Sequence, residues 1–311
     1  MRVVVIGGTG ILGRRVVRRL LDAGHDVAAT ARDDASRVAF RDAGVRPLEM
    51  DVYDRASIIE GVRGSDAVVR LTTETPTLAH MRRPAAWVET GRLRTESASL
   101  IADACLVCDV GAYLHESISL VYADHGDEWI DETSPVDVQR VAPLHDAWSG
   151  EAAAERITAA GGRGVVLRFA GFYSEDSTQS IALATALQHR RVTLFGRARN
   201  YHSSIHVDDA ATAAAAALTA PAGVYNVADL EPVRYVELIA LLAVAIEAPP
   251  LRRLPKLMAP SLLGVAAGFA FRSLRVSSRK LREATGWSPT VQSVRQGWEL
   301  VAQQWALESQ R

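Results

Sequence analysis

The sequence is poor in cysteine and lysine, and it has no excess of either charge. Its two cysteines, Cys105 and Cys108, lie late in a helix-like stretch, whereas a redox C-x-x-C motif normally begins a helix. We therefore expect buried thiols in a reducing compartment and exclude a disulfide framework. Lysine and arginine number 35 against 36 aspartates and glutamates. This balance does not indicate a nucleic-acid or membrane partner.

Metal-ligand spacing and long hydrophobic runs are missing too. The histidines and acidic residues show no ligand-like pattern, so no metal site is predicted. The apolar run before Gly7 is too short for the hydrophobic region of a signal peptide. Residues 257–271 form the longest other apolar stretch, but it is interrupted by Pro260 and is shorter than the about 20 residues of a membrane span. We expect a cytoplasmic protein in which residues 257–271 cover a substrate cleft.

Strand-like and helix-like segments alternate through the first half of the chain. The predicted strands are residues 3–6, 26–31, 45–50, 67–71, 112–117 and 165–169. Such a rhythm predicts an α/β protein with a Rossmann-type, doubly wound parallel sheet. We assign residues 1–170 to this nucleotide-binding domain. Residues 171–311, where the rhythm loosens, are assigned mainly to a smaller substrate-binding lobe with short returns to the core.

A glycine-rich loop follows the first predicted strand and opens the first predicted helix. It consists of Gly7, Gly8, Thr9, Gly10, Ile11, Leu12 and Gly13. Gly7 permits a tight turn, Gly10 lets the backbone approach a diphosphate, and Gly13 lets the helix pack close to the strand. Since amides at a helix N-terminus bind anions, this loop predicts a dinucleotide cofactor.

The end of the second predicted strand indicates which dinucleotide is bound. An NAD site places an acidic residue there to accept a hydrogen bond from the ribose 2′-hydroxyl. This chain has Ala31 and Arg32 instead. A guanidinium pairs with a 2′-phosphate, so Arg32 predicts NADP(H), with Arg14 as a possible second contact.

Several segments in order resemble the extended short-chain dehydrogenases/reductases of the NAD-dependent epimerase/dehydratase type. Besides the glycine loop they are 50–52, 64–68, 120–122, 167–169, 171–173, 205–209, 280–282 and 285–289. The resemblance covers nearly the whole chain. It implies that the cofactor also contacts Asp51, Val52, Leu71, Thr72, Phe169 and Phe172.

The resemblance fails at the proton-transfer residues. The family uses a serine near the end of the fifth strand and a Tyr-x-x-x-Lys helix, in which the lysine lowers the tyrosine pKa. Here Ala147 falls at the tyrosine position, Glu151 at the lysine position and Ile118 at the serine position. The main candidates for a replacement catalytic group are Ser117, Tyr122 and His145. Ser119, Tyr173, Tyr201, His202, water and a phenol of the substrate are further proton sources.

Two functions follow from this departure. In the first, the chain is an atypical NADPH-dependent ketoreductase, since hydride transfer needs mainly positioning. A composition rich in alanine and arginine with little lysine indicates a high-GC genome of the kind that makes aromatic polyketides. On this association we expect a ketoreductase that acts on a bulky polycyclic aromatic polyketide, similar to that of the simocyclinone pathway. In the second, the chain binds NADP(H) without catalysis and reports redox state, like regulators of the NmrA type.

We prefer the reductase, with a small-molecule substrate and no nucleic-acid or membrane partner. The helix that often mediates pairing in this family carries Arg92, Arg94 and Glu96. Because this face is unusually charged, we predict a monomer or a weak homodimer.

Overall fold

A seven-stranded parallel sheet forms the centre of the computed structural model, which describes residues 1–77 and 79–308. Its strands lie in the order β3-β2-β1-β4-β5-β7-β12. They span Arg2–Ile6 (β1), Asp26–Thr30 (β2), Arg46–Leu48 (β3), Ala67–Arg70 (β4), Ala112–Ile118 (β5), Arg163–Phe169 (β7) and Gly223–Val227 (β12). Every neighbouring pair is parallel, which confirms the predicted doubly wound sheet.

Apolar runs explain why the central strands are covered on both faces. In β1, Val3 and Val5 face one core, while Val4 and Ile6 face the other, and all four are at most 2% exposed. Alternate residues of a strand point to opposite faces, so a continuous apolar run needs helices on both sides.

The helices cover these two faces and build a further lobe. They span Ile11–Asp22 (α1), Asp34–Asp42 (α2), Arg55–Val62 (α3), Val88–Arg92 (α4), Ala98–Val107 (α5), Ala142–Gly150 (α6), Ala152–Ala159 (α7), Thr178–Gln188 (α8), Val207–Ala216 (α9), Tyr235–Ala245 (α10), Ala259–Leu263 (α11), Arg279–Thr285 (α12) and Val294–Glu308 (α13). A π-helical turn, Leu93–Ser97, joins α4 to α5. Helices α1 and α9 pack on one face, and α3, α5 and α7 on the other.

Short strands and a separate core organise the rest of the chain. The short strands are Trp129–Ile130 (β6), Gly171–Tyr173 (β8), Thr193–Phe195 (β9), Tyr201–His202 (β10), Ser204–His206 (β11), Val233–Arg234 (β13), Arg252–Leu254 (β14) and Arg275–Val276 (β15). Leu187, Leu194, Leu242 and Trp298 belong to a core outside the main sheet, whereas α9 and β12 return to the sheet.

The buried cysteine and the apolar stretch 257–271 occupy different environments in the structure. Cys105 is fully buried in α5, and burial raises the pKa of its thiol to about 12, as expected for a structural cysteine. Residues 257–271 form α11 flanked by 3-10 turns, with Leu257 91% exposed. Among the described residues, no helix has the length and apolar character needed to cross a membrane.

Candidate functional site

The glycine loop lies between β1 and α1, against the end of β4. Gly7 has φ +96°, and a Cβ there would lie 2.9 Å from the backbone carbon of Leu71. The Gly7 N–H donates a 2.8 Å hydrogen bond to Thr30 Oγ1 at the end of β2. Only glycine tolerates both this backbone angle and this close contact, so the turn depends on it.

Gly10 and Gly13 serve different purposes in the same loop. A Cβ on Gly13 would lie 2.0 Å from the Gly7 carbonyl oxygen, so Gly13 is needed for the fold itself. Gly10 precedes α1, and a Cβ there would meet one backbone atom, the same oxygen at 3.3 Å. The open side of Gly10 fits a diphosphate held by the α1 amides.

Arg32 lies at the ribose end of this loop. Its side chain is exposed, and its Nε donates a 3.3 Å hydrogen bond to Thr9 Oγ1. Asp33 is the nearest acidic residue in the sequence, but it accepts a 2.8 Å hydrogen bond from the Ser36 N–H and caps α2. Arg14 forms an ion pair with Asp176, which directs it away from the role suggested by the sequence.

We expect Arg32→Ala to weaken NADPH binding by about tenfold or more, because a charge-assisted pair with the 2′-phosphate is lost. NADH has no 2′-phosphate, so its affinity should stay unchanged. Titration of both cofactors into the variant measures the difference, and Arg41→Ala at the far end of α2 is the matched control. Equal losses for NADPH and NADH would rule out the assignment of Arg32.

The other predicted cofactor residues lie on the loops after β3 and β4 or within β7 and β8. Leu71 and Thr72 come directly after β4, and Thr72 Oγ1 is buried with no hydrogen-bond partner among the described residues. Asp51 is exposed, and its carboxylate accepts a 2.9 Å hydrogen bond from the Tyr53 N–H. The ring centres of Phe169, which ends β7, and Phe172, in the middle of β8, lie 5.2 Å apart. The unpaired Thr72 hydroxyl fits a ligand that passes this edge of the sheet.

A buried network occupies the positions where the family resemblance places proton transfer. Glu151 connects α6 to α7 and is 4% exposed. Its carboxylate accepts hydrogen bonds from Ser117 Oγ at 2.6 Å and from Arg168 Nε and Nη2 at 2.9 and 2.7 Å. Both oxygens of Glu151 are thereby engaged. The hydroxyl of Ser117, which was predicted as a catalytic candidate, donates its hydrogen bond to this carboxylate.

Ala147 provides no polar atom where the resemblance places tyrosine. It is 1% exposed and packs with Val121, Val138 and Leu144. A side chain that ends at Cβ neither donates nor accepts a proton. Helix α6 is therefore apolar and closely packed at this point.

The three catalytic candidates occupy different surroundings. Tyr122 is fully buried; its hydroxyl donates a 2.8 Å hydrogen bond to Asn226, and burial raises its pKa to about 12. The Arg168 guanidinium lies 4.8 Å from the centre of the Tyr122 ring, which links Tyr122 to the network of Ser117. His145 is exposed, with Nδ1 3.4 Å from Ser149 Oγ. The structure thus brings Ser117 and Tyr122 together and places His145 apart from them.

A second buried cluster went unrecognised in the sequence. Arg70 is fully buried, with Nη1 3.7 Å from Glu116 Oε2 and Nη2 2.7 Å from the Thr72 carbonyl. Arg94 is 4% exposed and donates to the Pro143 carbonyl at 3.1 Å, so its predicted place on an exposed charged face is wrong. Burial lowers the pKa of His115 well below its usual range, and Arg70 and Arg94 lower it further. The sequence feature that could have indicated this cluster is Arg70, a charged residue at the end of the otherwise apolar strand β4.

The comparisons with known proteins agree with this geometry. The NAD dependent epimerase/dehydratase family model matches residues 3–228. The chain therefore belongs to that family. A Streptomyces protein named 3-diazoavenalumate denitrifying reductase is 32% identical over 308 residues, which covers 96% of this chain and 99% of that protein.

Solved structures share the fold across the whole chain. A UDP-glucose 4-epimerase from Thermotoga maritima has a TM-score of 0.79 at 18% identity, covering 99% of this chain and 100% of the other. A human epimerase family protein with NADPH has a TM-score of 0.79 at 21% identity, covering 97% and 99%. The full-length similarity to a reductase supports an NAD(P)-dependent oxidoreductase, and a regulator of the NmrA type is not favoured.

Proposed function

We propose that this chain is an NADPH-dependent reductase of an aromatic small molecule and that it supplies no proton to its substrate. The observation that carries the proposal is the pair of residues on α6 and α7. Ala147 has no polar atom, and Glu151 is held by Ser117 and Arg168. A site built in this way suits an acceptor that takes a hydride alone.

The proposed cofactor site consists of this chain's loop and strand ends. The glycine loop and the α1 amides would hold the diphosphate, Arg32 the 2′-phosphate, and Thr72 a polar group near the nicotinamide ribose. NADPH, when bound, supplies a hydride. Ala147 offers no proton at the family's tyrosine position, and the O–H of Ser117 is engaged by the buried carboxylate of Glu151.

An aromatic diazo group is the acceptor that fits best. An arenediazonium ion that receives a hydride at the ring carbon forms a C–H bond there as the C–N bond breaks and dinitrogen leaves with the C–N electron pair. Charge and electrons balance, since the cation and the hydride yield a neutral arene and neutral N₂. No proton is required. The name of the Streptomyces relative, 3-diazoavenalumate denitrifying reductase, supports this choice.

A ketone of a polycyclic aromatic polyketide is the second candidate. The apolar cleft described below suits a large flat ring system. A reduced carbonyl becomes an alkoxide, which needs a proton. Since α6 offers none at Ala147, water or a phenol of the substrate would have to supply it. For either acceptor we propose a cytoplasmic protein that acts as a monomer or a weak homodimer.

The proposal is tested with 3-diazoavenalumate and with a polycyclic aromatic ketone, each given NADPH deuterated at C4 of the nicotinamide. We expect N₂ release in step with NADPH oxidation and deuterium on the former diazo carbon. The rate in D₂O should match the rate in H₂O, because no proton is transferred. A reaction without protein measures direct reduction of the diazo compound by NADPH.

Each result decides between the acceptors. Deuterium on a carbinol carbon, together with a slower reaction in D₂O, would show that the hydride acceptor is the ketone and not the diazo group. Tight NADPH binding without turnover of either compound would overturn the reductase proposal and return attention to a redox-sensing role.

A further inference from the structure

A cleft of about 540 Å³ lies between the N-terminal ends of α4 and α6 and the 3-10 turn Gly264–Gly268. Its lining residues are mostly apolar. They are Pro84, Trp87, Val88, Arg140, Val141, Ala142, Pro143, Asp146, Gly264, Val265 and Gly268. Val141 lines the cleft and belongs to the same apolar cluster as Ala147, so this wall of the cleft packs on the position where the family resemblance places tyrosine.

The walls of the cleft are held at a fixed spacing. Trp87 Nε1 donates a 2.9 Å hydrogen bond to the Met81 carbonyl, and the Trp87 ring meets the edge of Phe269 at 6.1 Å. A Cβ on Gly268 would lie 2.7 Å from Val141 Cγ2, so the opposite wall packs closely there. An apolar cleft beside an indole ring favours an aromatic ligand.

The charges around the cleft favour an anion at its mouth. Arg140 lines the cleft and is exposed, and the exposed Arg82 and Arg83 precede the lining residue Pro84. Asp146 is the one carboxylate among the lining residues, and burial raises its pKa. A guanidinium at the rim pairs well with a carboxylate.

We infer that this cleft binds a planar aromatic carboxylic acid, with the carboxylate on Arg140 and the ring against Trp87. The inference deepens the proposed function, because it names the class of the reductase's substrate. Arg140 then determines specificity for acids over neutral aromatic compounds, and the ring lies beside Val141, which packs in the same cluster as Ala147. A nucleotide-sugar substrate would gain little from this apolar slot.

Calorimetric titration without NADPH tests the inference, with trans-cinnamate as the acid and cinnamamide as its uncharged counterpart. We expect cinnamate to bind about tenfold more tightly than cinnamamide, and Arg140→Ala to abolish this preference. Trp87→Leu should weaken both probes. Arg18→Ala, which removes an exposed arginine of α1, should leave both affinities unchanged.

Equal affinities for the two probes, no binding of cinnamate, or an unchanged preference in Arg140→Ala would overturn the inference. The titration requires neither cofactor nor turnover, so its result is separate from that of the reductase assay. If the protein prefers cinnamate over cinnamamide but reduces neither test compound, the proposed reductase function is rejected and the inference about the cleft stands. Turnover with a KM unaffected by Arg140→Ala would reject the cleft alone.

Discussion

Gly10→Val should lower the affinity for NADPH by about 100-fold or more and leave the protein folded. The amides at the start of α1 bind the diphosphate only if the backbone of Gly10 stays accessible, and an isopropyl group occupies that space. We expect the fold to survive because a Cβ on Gly10 meets one backbone oxygen, at 3.3 Å, and a small shift of the loop relieves this tight contact. Fluorescence titration with NADPH and thermal unfolding measure the two effects.

Gly13→Ala is the informative comparison in the same loop. Its Cβ would lie 2.0 Å from the Gly7 carbonyl oxygen, so this smaller substitution should destabilise the domain itself. Unimpaired NADPH binding by Gly10→Val would remove the glycine loop from the proposed cofactor site. Equal unfolding temperatures for the wild type and Gly13→Ala would contradict the packing described at the loop.

Glu151→Ala should lower the free energy of unfolding by about 3–5 kcal/mol, because it leaves the buried Arg168 guanidinium without its partner. The side chains of Arg168 and Glu151 are 6% and 5% exposed, so water compensates little for the loss. Ser117 loses its hydrogen-bond acceptor in the same variant. Urea unfolding followed by circular dichroism provides the measurement.

Glu155→Ala is the matched control, since Glu155 is exposed one turn further along α7. We expect it to change stability by less than about 0.5 kcal/mol. Replacing Glu151 and Arg168 together by methionine should recover much of the stability, because no unpaired charge is then buried. A Glu151→Ala variant as stable as the control would show that the ion pair does not hold α7 to the sheet.

The proposed cofactor-binding residues can be predicted largely from the sequence. The tight turn, the open backbone and the close helix packing of the loop each depend on one glycine: Gly7, Gly10 and Gly13. These requirements are local, and the apolar strand before the loop places it in the fold. Arg32 is identified in the same way, by its position after the second strand. The next residue, Asp33, is an acid that could have been assigned to the ribose hydroxyl of NAD. Only the structure shows that its carboxylate caps α2.

The alternation of strands and helices follows from the residue order alone, as do the glycine loop after β1 and the presence of Ala147 and Glu151 where the family resemblance places a Tyr-Lys pair. These features depend on residue spacing within one segment or on the order of motifs. Tertiary structure decided the partners of the charged residues. Glu151, between α6 and α7, forms hydrogen bonds with Ser117 of β5 and Arg168 of β7. Arg94 is buried, although the sequence predicted a charged surface at its helix. Such contacts join residues far apart in the chain, and a buried charge is stable only where the fold supplies its counterpart, so spacing alone does not reveal them.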